Sequence, residues 1–215
     1  MAFKGWPAEA IEFFEGLEAD NSKAYWTAHK HEYEQCVQAP MVELLAELAP
    51  EFGDGRIFRP YRDVRFSRDK SPYKTNIAAS LAGGGYLSLS SSGFGVGSGM
   101  YMMALDQIER YRKAVADDTA GPELEGIIAT VEKRGISVSS HESLKTAPKG
   151  YPKDHPRIGL LRYKDLVCWQ DWPVGAWLGT SKAKKNVVDF LRASQPINQW
   201  LATHVGGSED PHGHR

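Results

Sequence analysis

The sequence changes character at residue 56, where it reads Arg56-Ile-Phe-Arg-Pro-Tyr-Arg-Asp-Val-Arg-Phe-Ser-Arg-Asp-Lys-Ser-Pro-Tyr-Lys-Thr-Asn76. Before this stretch apolar residues recur at helical spacing, whereas within and after it they alternate with polar residues as in β-strands. The stretch also holds seven Lys or Arg residues against two Asp residues, in a chain of 215 residues whose net charge is only -1. Such a local excess of positive charge favours an anionic partner.

The alternation over residues 58–67 predicts a strand with one apolar and one polar face. The apolar face would carry Phe58, Val64 and Phe66, together with Arg62. The polar face would carry Arg59, Tyr61, Asp63, Arg65 and Ser67. Alternate residues of a strand lie roughly 6.6 Å apart, so Arg59, Asp63 and Arg65 would form a row in which the aspartate orients two arginines.

Helical patterns precede this stretch. The first predicted helix carries Ile11, Phe14 and Leu17, and the break at Asp20-Asn21-Ser22 supplies the N-cap of a second. Pro40 predicts a kink or a restart of that second helix, because proline interrupts helical hydrogen bonding.

Short β-type runs and further helices follow. Glycine-rich segments at 83–85 and 93–99 are interpreted as hairpin turns of an antiparallel sheet. Helices are predicted over 105–115, from 122 to 134, after Asp154 and from about 181, and strands over 136–139 and 166–169. This order predicts a single α+β domain over residues 1–205, with helices packed on a mainly antiparallel sheet, and a disordered tail over residues 206–215.

The composition is that of an ordinary globular protein, with 41% hydrophobic and 25% charged residues. No apolar run approaches the ~18 residues needed to span a bilayer, and the N-terminus lacks the apolar core of a signal peptide. We therefore expect no membrane partner and a cytoplasmic location. Cys36 and Cys168 are far apart and His29 and His31 lie only two residues apart on a helix, so we expect no disulfide, no metal and no cofactor.

The turn over residues 67–75 adds Lys70, Lys74 and three Ser or Thr hydroxyl groups to the arginines. Turn backbones can direct several N–H groups at an anion. The turn lacks the glycine pattern of a phosphate-binding P-loop, which excludes that class of nucleotide hydrolase. Two interpretations remain open: an anion-binding site, or a surface ladder of ion pairs above a solvated turn.

A second candidate loop reads Lys149-Gly-Tyr-Pro-Lys-Asp-His-Pro-Arg157 and runs into a predicted helix start. Free N–H groups at a helix start favour anions. His155 could act there as a general acid or base, because histidine exchanges protons near neutral pH. The alternative for His155 is local hydrogen bonding.

Three motifs together resemble a known family: Phe58-Arg-Pro-Tyr-Arg-Asp-Val-Arg-Phe-Ser-Arg-Asp-Lys-Ser-Pro-Tyr-Lys-Thr75, Gly99-Met-Tyr-Met102 and Pro148-Lys-Gly-Tyr-Pro-Lys-Asp-His-Pro156. With Asn21 and Trp26 in the opening helices, they resemble the bacterial and fungal family catalogued as domain of unknown function 2461, from about Gly5 to Val205. The chain departs from the family pattern at Ser90-Ser-Ser92, where relatives tend to carry an acidic residue or proline after the strand. The resemblance implies a single α+β domain and no particular activity. It places in family motifs Arg59, Arg62, Arg65, Lys70, Tyr73, Lys74, Tyr101, Lys149, Gly150 and His155.

The sequence thus names no reaction, but it predicts a site for a phosphate- or carboxylate-bearing small molecule where the polar sheet face and the 149–155 loop converge. The ligand-binding candidates are Arg59, Arg62, Arg65, Lys70, Tyr73, Lys74, Tyr101 and Lys149. If turnover occurs, Asp63 or His155 would transfer the proton. The alternatives are a module that binds the nucleic-acid backbone through the basic turn, and a non-catalytic interaction protein whose arginines are internally paired. The oligomeric state stays open.

Overall fold

The computed structural model describes residues 2–209 and shows an α+β protein, as the sequence predicts. Its helices are α1 (Glu9–Ala19), α2 (Lys23–Glu32), α3 (Ala39–Phe52), α4 (Leu105–Ala116), α5 (Ala120–Glu132), α6 (Ile158–Leu161) and α7 (Lys182–His204). Its strands are β1 (Gly55–Ile57), β2 (Asn76–Leu81), β3 (Gly85–Ser90), β4 (Gly93–Met100), β5 (Ser137–Ser139) and β6 (Leu166–Pro173). Within the described residues these strands form an antiparallel sheet in the order β1-β2-β3-β4-β6-β5.

The described residues fall into two compact units. The first comprises residues 2–96 and 171–189, and the second comprises residues 97–170 and 190–209. The single domain proposed for residues 1–205 stays a prediction.

The first unit opens with two helices that pack through Gly16 and Tyr25. Ser22 caps α2, because its Oγ accepts a hydrogen bond from Tyr25 N at 3.1 Å. The hydroxyl of Tyr25 in turn donates to the carbonyl oxygen of Phe13 at 3.1 Å. A Cβ atom on Gly16 would lie 2.0 Å from that hydroxyl oxygen, so only glycine lets the two helices approach this closely.

Helix α2 continues as a π-helical segment, Tyr33–Gln38, before α3 begins at Ala39. Pro40 lies in the first turn of α3, where its missing N–H breaks no helical hydrogen bond. The backbone stays helical from Lys23 to Phe52, so the kink or restart predicted at Pro40 stays a prediction. Met41 and Leu44 of α3 are fully buried in the core of this unit.

The hairpin predicted at residues 83–85 is confirmed. Strands β2 and β3 pair in register, with Ala79 opposite Leu87, and Gly84 takes a φ of 93° in the turn between them. That positive φ favours glycine. Leu87 and Leu89 are fully buried, as expected of the inner face of a sheet.

The interpretation of residues 93–99 as turns is wrong, because they form most of strand β4. A Cβ atom on Gly93 would lie 2.2 Å from a carbonyl oxygen of β6, and one on Gly99 would lie 2.3 Å from another. Glycine is needed here because a neighbouring backbone approaches closely, and not because the chain reverses direction. The reversal before β4 is made by Ser91 and Ser92.

The second unit has a core built on α4, α5 and the end of α7. Tyr111 of α4 is fully buried, and its hydroxyl donates to the carbonyl oxygen of Leu160 at 3.2 Å. The indole N–H of Trp200 donates to the carbonyl oxygen of Ala120 at 3.0 Å. Both large rings thus bury their apolar surface while their polar atoms keep a hydrogen bond.

The first four residues of the predicted disordered tail are held against α4. Asp106 accepts hydrogen bonds from Ser208 Oγ and Glu209 N, both at 2.9 Å. Gln107 Nε2 donates to the carbonyl oxygen of Gly206 at 2.8 Å. The rest of that predicted tail, residues 210–215, lies outside the described residues.

Candidate functional site

The strand predicted over residues 58–67 is wrong, because residues 58–75 form a loop between β1 and β2. Its predicted apolar face is not buried. Phe66 is 96% exposed and Phe58 is 37% exposed. The alternation of apolar and polar residues therefore does not mark a sheet face in this segment.

The two arms of the loop are joined by an isolated antiparallel bridge between Tyr61 and Tyr73. Each tyrosine directly follows a proline, Pro60 or Pro72, and neither proline has an N–H to donate. Each proline carbonyl accepts an N–H from the opposite arm, at 2.8 Å for Pro60 and 2.9 Å for Pro72. The next hydrogen bond on each side of the bridge would need an N–H from Pro60 or Pro72. Because neither proline has one, the arms form a single bridge rather than two paired strands.

Asn21, in the break before α2, holds the loop at Tyr73. Its Nδ2 donates to the carbonyl oxygen of Tyr73 at 3.1 Å, and Tyr73 N donates to Asn21 Oδ1 at 3.0 Å. The amide side chain thus makes the two bonds that a neighbouring strand residue would make. The ring of Tyr73 stacks on Trp26, with ring centres 4.4 Å apart, and both side chains are buried. Tyr73 therefore anchors the loop to the helices, while its predicted contact with a ligand stays a prediction.

The predicted row of Arg59, Asp63 and Arg65 contains one closed ion pair. Arg65 Nη2 lies 2.7 Å from Asp63 Oδ2, and Arg65 Nε lies 3.0 Å from Asp63 Oδ1. These bonds, and a weaker effect of the Arg59 charge, hold the pKa of Asp63 below its usual value. Because the guanidinium fork of Arg65 is occupied by Asp63, it offers an anion fewer donors than the sequence suggested. The proton-transfer role of Asp63 stays a prediction.

Arg62 pairs with Asp69 across the loop, although the sequence placed Arg62 on an apolar face. Asp69 Oδ2 accepts a hydrogen bond from Arg62 Nη1. Asp69 Oδ1 accepts from Ser71 Oγ at 2.6 Å and from Ser71 N at 2.9 Å. The bonds from Ser71 and Arg62 hold the pKa of Asp69 well below its usual range, so this carboxylate is ionised and fully engaged at neutral pH.

A cleft of about 420 Å³ opens beside Arg62, between the loop and the chain around Asn21. This loop cleft is lined by Glu18, Asn21, Arg62, Asp69, Ser71, Tyr73, Lys74, Thr75 and Asn76. Both of its carboxylates have partners, since Glu18 Oε1 accepts a hydrogen bond from Ser91 Oγ at 2.6 Å and Asp69 is bound as described. The polar lining brings together three of the predicted ligand-binding residues, namely Arg62, Tyr73 and Lys74.

Lys74, a half-buried residue, also lines the loop cleft. Its Nζ lies 5.8 Å from the centre of the Phe58 ring. Within residues 2–209, no carboxylate lies within the 4.0 Å of an ion pair to this nitrogen. Lys70 behaves differently, because its Nζ donates to the carbonyl oxygen of Val64 at 3.0 Å and closes the tip of the loop.

In the second unit, the 149–157 loop is organised by a residue that the sequence did not single out, Arg157. Its side chain is only 8% exposed, and its Nε donates to the carbonyl oxygen of Val115 at 2.6 Å. Its Nη2 donates to the carbonyl oxygens of Ala116 and Asp117 at 3.2 and 3.1 Å. Arg157 therefore caps the C-terminal end of α4, where helix carbonyls lack partners and positive charge is favoured.

The other predicted residues of the second unit lie at its surface or make local bonds. His155 Nδ1 accepts a hydrogen bond from Arg157 N at 3.1 Å, which is the local bonding that the sequence left open as an alternative. Lys149 is exposed, and Tyr101 is 56% exposed with its ring 5.4 Å from that of His141. Helix α6, expected to begin after Asp154, begins at Ile158 and is a single turn, so few N–H groups are aligned there for an anion. The predicted convergence of this loop with the basic segment stays a prediction.

Two further features bear on chemistry. Within residues 2–209, no group of three or more His, Cys, Asp and Glu side chains is placed to hold a metal ion. Cys168 is fully buried, which raises the pKa of its thiol to about 12.

Among residues 2–209, no helix is both long enough and apolar enough to cross a bilayer.

Comparison with known proteins shows the family. No curated protein sequence matches the chain. Among solved structures it is similar to a conserved hypothetical protein from Pyrococcus furiosus, with 14% identity, a TM-score of 0.38, and coverage of 80% of this chain and 98% of that one. The sequence profile described as "Conserved hypothetical protein (DUF2461)" matches residues 9–200, which include both candidate loops. The chain therefore belongs to the DUF2461 family of conserved hypothetical proteins, as its motifs predict.

Proposed function

We propose that the loop cleft binds a small molecule that carries a phosphate or carboxylate group. The ligand would be held by Arg62 and Lys74, with Thr75 as a hydroxyl donor, rather than by Arg59 and Arg65. The loop cleft has a volume of about 420 Å³, which lies in the range of small-molecule sites, roughly 300–1,000 Å³.

One observation carries this proposal: Arg62 and Lys74 line the same cleft, and the Lys74 ammonium has no carboxylate partner among residues 2–209. A guanidinium group has five N–H donors, and Arg62 directs Nη1 at Asp69. The ammonium of Lys74 has three donors and no carboxylate partner within residues 2–209. Neither Glu18 nor Asp69 lies within 4.0 Å of the Lys74 ammonium nitrogen, so neither forms an ion pair with it. An anion would satisfy both cations at once, and charge-assisted hydrogen bonds are the stronger kind.

The proposal is one of binding and not of a reaction. Asp69 accepts three hydrogen bonds and is committed to the structure of the loop. Glu18 accepts one, from Ser91. A general base must be within hydrogen-bond reach of the proton that it removes in a bound substrate. A binding function needs only the two cations and their geometry.

Thermal unfolding and calorimetric titration with a panel of anions test the proposal. The panel contains inorganic phosphate, nucleoside monophosphates, sugar phosphates and dicarboxylates. A ligand present at a hundred times its Kd stabilises the native state by about 2.7 kcal/mol. For a chain of this size each kcal/mol of stabilisation raises Tm by roughly 2–4 °C, so the shift is readily measured.

Two matched variants locate the site. Lys74→Gln removes the charge from the cleft and keeps most of the side-chain stem, and we expect it to abolish the shift. Arg65→Gln removes an equal charge outside the cleft, and we expect the shift to persist. Loss of the shift in Arg65→Gln but not in Lys74→Gln would place binding elsewhere.

Two other outcomes of the anion panel would count against binding of a small anion in the loop cleft. If no member of the panel stabilises the wild-type protein, the proposal fails. If only nucleic acid binds, with an affinity that falls with salt at a slope near -0.9 per neutralised phosphate, the basic loop serves as a backbone-binding module instead.

A further inference from the structure

The tip of the 58–75 loop presents an aromatic ring to solvent among cations. Phe66 is 96% exposed, the highest value among the exposed large hydrophobic residues described. The Arg65 guanidinium carbon lies 5.9 Å from the centre of its ring, and Arg68 beside it is exposed. Between residues 62 and 70 the loop carries four cationic side chains and two carboxylates. Single exposed apolar side chains are common on protein surfaces, but aromatic residues together with arginines are the side chains enriched where proteins contact one another.

The same unit has a cleft of complementary character at the start of α1. This α1 cleft has a volume of about 510 Å³ and is lined by parts of residues 6–15 and 174–179. Its walls are mainly small or apolar, and they include Ala8 and an exposed Val174. Glu12 and Glu15 also line it, both are exposed, and neither has an ion-pair partner within residues 2–209.

We infer that the chain associates with a second copy of itself by placing Phe66 of one copy in the α1 cleft of the other. The apolar walls would receive the ring, and small residues allow a flat ring to approach closely. Arg68, together with the Arg65 Nη1 donors that Asp63 leaves unoccupied, would lie against Glu12 and Glu15. The aromatic anchor and the charge complementarity would then fall at the same place. This contact uses neither Arg62 nor Lys74 and is independent of the proposed function.

Charge distribution favours a second copy over another anionic partner. The chain has a net charge of -1, so its basic loop is balanced by acidic surface elsewhere, including Glu12 and Glu15 on α1. A net charge near zero with segregated signs promotes self-association. A nucleic acid or an anionic membrane would use the basic tip and leave the apolar cleft with its two glutamates unexplained.

Sedimentation velocity tests the inference on the full chain. We expect the average mass to rise with protein concentration and to fall as salt is added, because salt screens the charged part of the contact. Phe66→Ala is expected to weaken association at least about tenfold, as truncation of a central aromatic anchor does. Because Phe66 is almost fully exposed, its removal should leave the Tm of the monomer, measured at a concentration at which wild type is also dissociated, unchanged.

Charge reversal identifies the two faces. The double variant R65E/R68E and the double variant E12K/E15K should each lose self-association, and an equimolar mixture of the two should recover it. A control, E109K/E132K, changes the net charge by the same amount as E12K/E15K at exposed helix positions and should associate like wild type. A mixture that stays monomeric would overturn the contact.

Two other results would overturn the inference. One is a wild-type chain that remains monomeric at the highest attainable concentration. The other is self-association that persists in Phe66→Ala and in both reversals, because it would then use another face. Binding of oligothymidylate or of phosphatidylglycerol vesicles through Phe66, without self-association, would assign the tip to that partner instead.

Discussion

Replacing Asn21 tests whether its side chain holds the basic loop in place. Asn21→Ala removes the bonds to Tyr73 O and from Tyr73 N, of 3.1 and 3.0 Å. A partly buried hydrogen bond contributes about 0.5–1.5 kcal/mol, so the two together stabilise the closed loop by about 1–3 kcal/mol. Since every 1.4 kcal/mol is tenfold, local opening should become about 5–150 times more frequent. The global stability falls by no more than the same amount.

Amide hydrogen exchange measures this opening directly. The N–H groups of Arg62 and Lys74 donate across the loop to Pro72 and Pro60, so they exchange when the arms separate. We expect their exchange to accelerate by the factor above in Asn21→Ala, and by less in Asn21→Asp, which keeps the Oδ1 acceptor. Exchange in the β2–β3 hairpin should change much less.

The matched control is Asn186→Ala, at a half-buried asparagine of α7 with no side-chain hydrogen bond among the described residues. It should leave exchange in the loop unchanged. If the N–H groups of Arg62 and Lys74 exchange at the wild-type rate in Asn21→Ala, the side-chain amide of Asn21 does not hold the loop. Its two bonds to Tyr73 would then not stabilise the loop as strand pairing does.

Three further predictions concern other parts of the chain. Arg157→Met should lower the free energy of unfolding in urea by about 3 kcal/mol or more, because three carbonyls lose their donor, whereas the exposed control Arg134→Met should change it little. The pKa of Asp106 is lowered from 3.8 to about 2, mainly by the backbone N–H at residue 209, so its contribution to stability is present above pH 3.8 and lost as the pH falls toward 2. NMR titration of its carboxyl group checks this, and a midpoint at 3.8 or above would contradict it. In the folded protein iodoacetamide should modify the half-buried Cys36 but not the fully buried Cys168, so mass spectrometry should find one adduct before denaturation and two after.

Local patterns with a single physical cause predicted much of the fold. Ser22 follows a polar break and caps α2, because a short side-chain oxygen at that place has one favourable partner. The glycine run before β3 is a turn, because its central glycine has a positive φ. The glycines of β4 show the limit of such reasoning, since glycine serves tight turns and close backbone approach alike. Only the position of the neighbouring strand distinguishes these two uses.

The candidate site was harder to predict, because two prolines decided its conformation. Alternation in residues 58–67 predicted a strand. Pro60 and Pro72, however, directly precede the two bridged tyrosines, one on each arm, and stop the ladder after one bridge. Which aspartate neutralises which arginine then depends on the loop path, and no spacing rule gives the pairing of Arg62 with Asp69. The role of Asn21 was missed for a similar reason, since its partner Tyr73 is 52 residues away.

The basic loop therefore has two sides with different chemistry. On the inner side, Asn21 and Trp26 fix Tyr73, and this places Lys74 beside Arg62 in the loop cleft. On the outer side, the tip carries Phe66 into solvent, where nothing in the first unit covers it. Because the two sides share no ligand-contacting residue, Lys74→Gln should affect anion binding and leave self-association unchanged. Phe66→Ala should do the reverse, and a variant that impairs both would show that the loop acts as one surface.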